Sequence, residues 1–265
     1  MHILDKIVAH KKDEVEARKK QVAVAQLKDS EAYVRDGLSL SASLREKNAS
    51  GIIAEFKRKS PSKGEIRAEA SPLIIGSGYT RAGASGISVL TDVAFFGGST
   101  EDFLEVRAVS DKPMLRKDFI VDPYQIHEAK AMGADVVLLI AECLDKEKVA
   151  DFAAEASSLG LEVLLEIHTA EQAEKYTSDI DLLGVNNRNL QTFEVNVEQS
   201  VQLFADLPTH PVKVAESGLR DVATIHRLYE AGYRGFLIGE WFMRQQDPGK
   251  ACEGLIEELL SLREK

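Results

Sequence analysis

A closed eightfold β/α barrel preceded by a helical extension is the fold this sequence predicts, and three observations predict it. From Gly51 onward eight short apolar runs recur, each followed by a stretch of helical periodicity; near-continuous apolar strands alternating with helices mark a parallel sheet covered on both faces. Glycine stops stand just before strands, at Ala82-Gly83, Met132-Gly133, Leu159-Gly160 and Ala231-Gly232, as helix C-termini do. The length, 265 residues, suits an architecture that typically runs to about 250 residues as one domain. No linker or compositional break divides residues 1–265, so one domain is expected. An open doubly wound sheet is the competitor. It would usually carry Gly-x-Gly-x-x-Gly after its first strand, whereas Arg58-Lys59-Ser60-Pro61-Ser62-Lys63-Gly64 follows here.

Taken in order, residues 1–48 form the extension. Ile3/Leu4, Ile7/Val8 and Val15 recur at helical spacing around a charge-dense stretch from His10 to Lys20, which reads as amphipathic helices laid against the main body. The eight apolar runs are Ile52–Lys57, Gly86–Thr91, Pro113–Lys117, Asp135–Ile140, Leu161–Glu166, Asp181–Asn186, Val212–Glu216 and Gly235–Gly239.

Composition narrows the function. With 44% hydrophobic and 29% charged residues the chain can fill a core and is not a disordered one. Its 33 basic and 43 acidic residues sum to −10 with no long basic run, which disfavours nucleic acid and anionic membranes as partners, so an anionic ligand must be caught locally. The two cysteines, Cys143 and Cys252, have neither Cys-x-x-Cys nor Cys/His spacing, and the six histidines, His2, His10, His127, His168, His210 and His226, are scattered. Neither a disulfide framework nor a metal site is expected. The amino terminus has no apolar run of signal-peptide length and no stretch reaches the ~18 apolar residues of a membrane span, so a cytoplasmic protein is expected.

In such barrels the chemistry lies at the carboxyl ends of the strands, and strand alternation decides which side chains enter the mouth. Glu55 and Lys57 share one face of the first strand, and because they interrupt an apolar run they form either a structural ion pair or a working one. Lys117 ends the third strand and Glu166 the fifth, each a charged group at the carboxyl end of its inward parity. Asn186 ends the sixth, with Arg188 two residues on; spacing alone leaves these two as site residues or as braces for a loop. Glu216-Ser217-Gly218 ends the seventh. Arg58, Lys59 and Lys63 read as solvated loop residues; His168, just past the fifth strand and the one histidine near the mouth, reads as a loop residue. Ser217-Gly218 after the seventh strand and Gly239-Glu240 after the eighth, opening a helix, sit where such barrels hold a phosphate on backbone N–H groups; as isolated motifs they could equally be tight turns. Ser60 could add a hydroxyl donor.

Four segments in register carry a resemblance: Ile53-Ala54-Glu55-Phe56-Lys57-Arg58-Lys59-Ser60-Pro61-Ser62, Leu115-Arg116-Lys117-Asp118-Phe119-Ile120, Gly184-Val185-Asn186-Asn187-Arg188-Asn189-Leu190 and Val214-Ala215-Glu216-Ser217-Gly218. They closely resemble the indole-3-glycerol phosphate synthase family of tryptophan biosynthesis, and the likeness covers essentially the whole chain, including the helical extension that the family places over the barrel mouth. It implies a monofunctional enzyme without a cofactor. The implied reaction closes and aromatises 1-(2-carboxyphenylamino)-1-deoxyribulose 5-phosphate to indole-3-glycerol phosphate, with loss of carbon dioxide and water. It further implies Lys117 as general acid for ring closure, Lys57 and Glu166 as the acid–base pair of dehydration with their order open, and Glu55 positioning Lys57. Asn186 and Ser217 join the catalytic group. Arg188 would hold the benzoate, with Asn186 beside it on the anilino side; Ser60, Gly218, Gly239 and the Glu240 amide would hold the phosphate. Phe96, Phe119 and Leu190 would flank the aryl ring, and Glu216 would bind substrate. Trp241-Phe242 departs from the pattern, being bulkier than the small residues expected there. The implied partner is the phosphorylated substrate, with other enzymes of tryptophan biosynthesis as further candidates; a monomer is expected.

Three rival functions stand beside this one. A phosphoribosylanthranilate isomerase would need an Asp/Cys acid–base pair, and none stands at these strand ends. A Schiff-base aldolase working through Lys117 would be trapped by borohydride. An inactive barrel kept as a scaffold would have little use for Glu55, Lys57, Lys117 and Glu166 together, since buried charges are costly.

Overall fold

Eight parallel strands close on themselves in the computed structural model, which describes residues 3–190 and 192–263; His2 lies outside the described residues. The strands are β1 (Ile52–Phe56), β2 (Gly86–Leu90), β3 (Met114–Lys117), β4 (Val136–Ile140), β5 (Glu162–Ile167), β6 (Leu182–Asn186), β7 (Val212–Glu216) and β8 (Gly235–Ile238). Each pairs with its sequence neighbours, and β1 closes on β8 through Ile52↔Phe236, Ile53↔Leu237 and Ala54↔Ile238. Closure leaves no sheet edge. Seven of the eight fall within the runs predicted from the sequence, and β5 extends one residue past its run, to Ile167. The glycines of the four predicted helix stops, Gly83, Gly133, Gly160 and Gly232, all have positive φ.

The period of two along each strand divides the apolar residues into two cores. One parity (Ala54, Phe56, Val137, Leu139, Val163, Leu165) packs outward against the helices. The other (Ile53, Leu115, Val136, Leu138, Leu164, Leu182, Val214, Leu237) fills the barrel. On that inward parity apolar residues occupy the lower positions, and the last position of several strands is charged or polar: Glu55, Lys117, Glu166, Asn186 and Glu216. The apolar layers make the floor on which the polar mouth stands.

Helix α1 (Ile3–Gln21) crosses the mouth, where Ile3, Leu4 and Ile7 line the central cavity. The rest of the extension does something the sequence did not lead one to expect. It descends along the helix Tyr124–Ala131, with Ser30 Oγ donating to Ala131 O at 2.7 Å and Leu38 N–H to Asp135 Oδ1 at 2.8 Å. The helix Leu40–Arg45 then closes the opposite, amino-terminal end of the barrel. Leu40 and Leu44 are buried in the interior core, and Glu162, at the start of β5, accepts from the Leu40 and Ser41 N–H groups at 2.8 and 3.0 Å. A carboxylate at this helix N-terminus satisfies donors that would otherwise be orphaned. The extension is thus both a cover for the mouth and a plug for the floor. Among the described residues no helix is long and apolar enough to cross a membrane.

Candidate active site

A cavity of about 460 Å³ opens at the carboxyl ends of the strands. It is lined by all fifteen residues singled out from the sequence: Glu55, Lys57, Ser60, Phe96, Lys117, Phe119, Glu166, Asn186, Arg188, Leu190, Glu216, Ser217, Gly218, Gly239 and Glu240. They converge because the inward parity of the strands delivers the charged groups and the following loops deliver the rest.

At its centre five ionisable side chains interlock. Lys57 Nζ donates to Glu55 Oε1 at 2.5 Å. Lys117 Nζ donates to Glu166 Oε2 at 2.9 Å and lies 3.7 Å from Glu216 Oε2. Asn186 Nδ2 donates to Glu166 Oε1 at 3.0 Å, and the Asn186 Oδ1 accepts the Arg188 N–H at 3.0 Å. Glu55, Glu166 and Glu216 are each 2% exposed. Two glycines make room for these carboxylates: a Cβ at Gly184 would collide with Glu216 Oε1, and one at Gly239 with Glu55 Oε1.

Burial of so many like charges forces their titrations apart. For Lys117, burial alone would lower the pKa, but the carboxylates of Glu166, Glu216 and Glu55 outweigh it and hold the pKa above the ordinary lysine range. Burial would likewise raise Glu166, yet Lys117, His168 and the Asn186 amide bring it down to about 2. Glu216 goes the other way. Burial, then the Glu166 charge, push it up to about 8 against the pull of Lys117. At neutral pH Glu216 therefore carries a proton, and the charges of Glu55 and Glu166 are balanced by Lys57 and Lys117.

A stability prediction follows from Glu216. In the unfolded chain its proton leaves near the ordinary value of 4.5, in the folded chain near 8, so between those values the native state binds the extra proton and stability falls as pH rises. Thermal midpoints of the protein and of Glu216→Gln should differ progressively more against the wild type as pH goes from about 5 to 8. A difference independent of pH would contradict the assignment.

Around this centre the cavity is differentiated. Phe96 and Phe119 stand with ring centroids 5.9 Å apart on one side. Arg188 reaches Ser62 Oγ at 3.2 Å and Glu240 Oε2 at 3.5 Å, and Glu240 Oε1 accepts from Arg244 Nε at 3.2 Å. After β7 the chain turns through two successive residues of positive φ, Ser217 at 67 and Gly218 at 79. After β8 the helix Glu240–Met243 begins, with Phe242 buried in the outer core and Trp241 lining the cavity. The bulk of these two residues is thus absorbed by packing, their rings 5.3 Å apart.

Some residues behave differently from their sequence reading, and others escaped it. Arg58 is no solvated loop residue: it pairs with Asp102 and donates to Ala68 O and Ala70 O at 3.1 and 3.0 Å, pinning the first loop. Lys59 Nζ donates to Ala94 O at 2.8 Å, and Lys63 lines the cavity. His168 has its Nε2 3.8 Å from Glu166 Oε1 and is nearly buried. Phe193, Arg220 and Arg244 line the cavity unforeseen; they lie in loops, where no periodicity says which way a side chain points.

Fold and site together define an acid–base enzyme of the (β/α)8 class. A family model described as indole-3-glycerol phosphate synthase matches residues 4–255. Proteins of that name from Bacteroides thetaiotaomicron and Salinibacter ruber are 48% and 45% identical over 257 and 261 residues, which is 97% of this chain in both cases and 98% and 96% of theirs. Among solved structures, a thiamine phosphate pyrophosphorylase from Pyrococcus furiosus is similar in fold alone, with a TM-score of 0.59 and 18% identity over 84% of this chain and all of its own. The chain belongs to the indole-3-glycerol phosphate synthase family, carboxy-lyases of tryptophan biosynthesis.

Proposed function

We propose that the protein converts 1-(2-carboxyphenylamino)-1-deoxyribulose 5-phosphate to indole-3-glycerol phosphate, with the Lys117–Glu166 pair, 2.9 Å apart in the cavity, as the observation that carries the reading. Attack of the aryl carbon on the ribulose carbonyl develops an alkoxide, and Lys117, held protonated by the carboxylates around it, Glu166 foremost, gives it a proton. A Schiff base would need this amine neutral, so the same environment disfavours an aldolase. Carbon dioxide then leaves and the aryl ring recovers its aromaticity. Having lost its cationic partner, Glu166 becomes a stronger base. Lys57 protonates the departing hydroxyl as water, Glu166 takes the proton from the neighbouring methylene carbon, and the indole is complete. Glu55 holds Lys57 in place through their 2.5 Å contact. Solvent and the Glu166 proton restore the two lysines.

The substrate brings a phosphate and a benzoate, about three negative charges, to a cavity whose rim offers Lys63, Arg188, Arg220 and Arg244. We assign the phosphate to the amides after β7 and β8 with Ser60, the benzoate to Arg188 beside Asn186, and the aryl ring to Phe96, Phe119 and Leu190. Glu216 and Ser217 border the reacting carbons. We place the reaction in the cytoplasm and expect a monomer, since one chain supplies every residue used here; other enzymes of tryptophan biosynthesis are partners to test.

Arg188→Lys tests this polarity. A guanidinium fork holds a carboxylate by two hydrogen bonds, and an ammonium is a point donor. The variant should weaken substrate binding and turnover together and lose discrimination against an analogue lacking the carboxylate, while inorganic phosphate inhibits as before. Loss of phosphate inhibition with carboxylate discrimination intact would reverse the pocket.

A further inference from the structure

Among the described residues two basic side chains are wholly buried, Lys11 of α1 and Arg116 of β3, and the reaction uses neither. Lys11 Nζ lies 3.0 Å from Glu14 Oε2, 2.9 Å from Asp92 Oδ2 and 3.0 Å from Asp118 Oδ1. These contacts belong to a closed ring of charges. From Lys11 it passes to Glu14, which pairs with Arg18; then Arg18 to Glu128 at 3.3 Å, Glu128 to Arg116 at 3.1 Å, Arg116 to Asp118 at 3.2 Å, and back to Lys11. Asp92 branches from it.

The two carboxylates that face Lys11 are also fastened to the site. Asp118 follows Lys117 in the chain. Its Oδ1 accepts the Phe119 N–H at 2.8 Å, and its Oδ2 accepts from Thr91 Oγ1 at 2.7 Å. Asp92 Oδ1 caps the short helix Val93–Phe96, accepting from the Phe95 and Phe96 N–H groups at 2.7 and 3.1 Å. One ammonium therefore draws together the backbone that carries Lys117 and Phe119 and the turn that carries Phe96. Adhesion of α1 does not require this. Apolar side chains hold a helix to a barrel at lower desolvation cost, and a buried ion pair is a weak source of stability. It does supply fixed geometry, which a proton donor and its ring pocket need to within about 0.5 Å.

Resting on Lys117 as the proton donor, we propose that Lys11 is a positioning residue for ring closure: through Asp118 and Asp92 it fixes the donor against the two phenylalanines that clamp the aryl ring. α1 is then a fixed wall of the site and not a mobile cover.

Lys11→Met keeps the length of the side chain and removes the charge. Displacement of a reacting group by about 1 Å costs up to 10²-fold, so kcat should fall about 10- to 100-fold, with KM changed little and inhibition by inorganic phosphate unaltered, because phosphate sits across the cavity. Lys11→Arg should recover most of the rate. Leu259→Ala, in the outer core, serves as the control for lost stability: measured well below both thermal midpoints, it should retain wild-type kcat. If Lys11→Met fails to fold, Asp92→Asn weakens the same clamp while keeping the helix cap, and the same split between kcat and KM is read. Wild-type kcat in the Lys11 variant, or an equal loss in Leu259→Ala, overturns the proposal. A dead Lys117→Ala beside a fully active Lys11→Met would sink this proposal alone, whereas an active Lys117→Ala would remove the reading on which it rests.

Discussion

Replacing Lys117 with alanine lowers kcat by ~10²–10⁴-fold, the contribution of a positioned general acid, while leaving the barrel folded and inhibition by inorganic phosphate intact. The side chain stands in the cavity and not in either apolar core, so no packing is lost. What changes is the charge balance: Glu55, Glu166 and Glu216 would face Lys57 alone. Glu166, held near 2 largely by Lys117, would climb towards protonation, because that costs less than an unpaired buried charge. The variant thus loses the donor for ring closure and blunts the base for the last step in one substitution. Turnover, phosphate inhibition and circular dichroism measured on the same preparation separate this outcome from unfolding. A kcat close to wild type would remove Lys117 from the mechanism.

The second large effect concerns the extension. A chain lacking residues 1–22 loses α1 and with it the wall formed by Ile3, Leu4 and Ile7. It should retain a cooperative thermal transition but turn over poorly. A chain lacking residues 1–45 also loses Leu40 and Leu44 from the barrel floor. Emptying a buried leucine site costs about 2–5 kcal/mol, and two such losses approach the 5–15 kcal/mol that holds a typical domain together. Glu162 would in addition lose the helix it caps. The longer deletion should therefore fail to give a cooperative fold. Equal stability of the two shortened chains would show that the floor does not need its plug.

Much of the site was legible because the barrel translates sequence parity into direction. A charge that ends an apolar run, such as Lys117 or Glu166, must either face the mouth or be buried among helices, and the parity of Ile53, Leu115 and Leu164 decides which. Lys11 was legible in principle. It falls between Ile7 and Val15 at spacings of four, on the buried stripe of α1, but the surrounding lysines and glutamates make the whole stretch look solvated. Leu40 and Leu44 are likewise four apart, so their helix has an evident apolar face; nothing local says which end of the barrel receives it. The protonation of Glu216 depends on Glu166 and Glu55 from other strands, a three-body effect that no single segment carries. Phe193, Arg220 and Arg244 depend on loop paths, which strand alternation does not govern.

The most direct measurement mixes the purified protein with 1-(2-carboxyphenylamino)-1-deoxyribulose 5-phosphate and follows indole absorbance and fluorescence while carbon dioxide is collected. Catalysed appearance of the indole chromophore with one carbon dioxide released per molecule is the result expected, abolished when Lys117 is alanine. Substrate that remains unchanged, or that isomerises without loss of carbon dioxide, would contradict it.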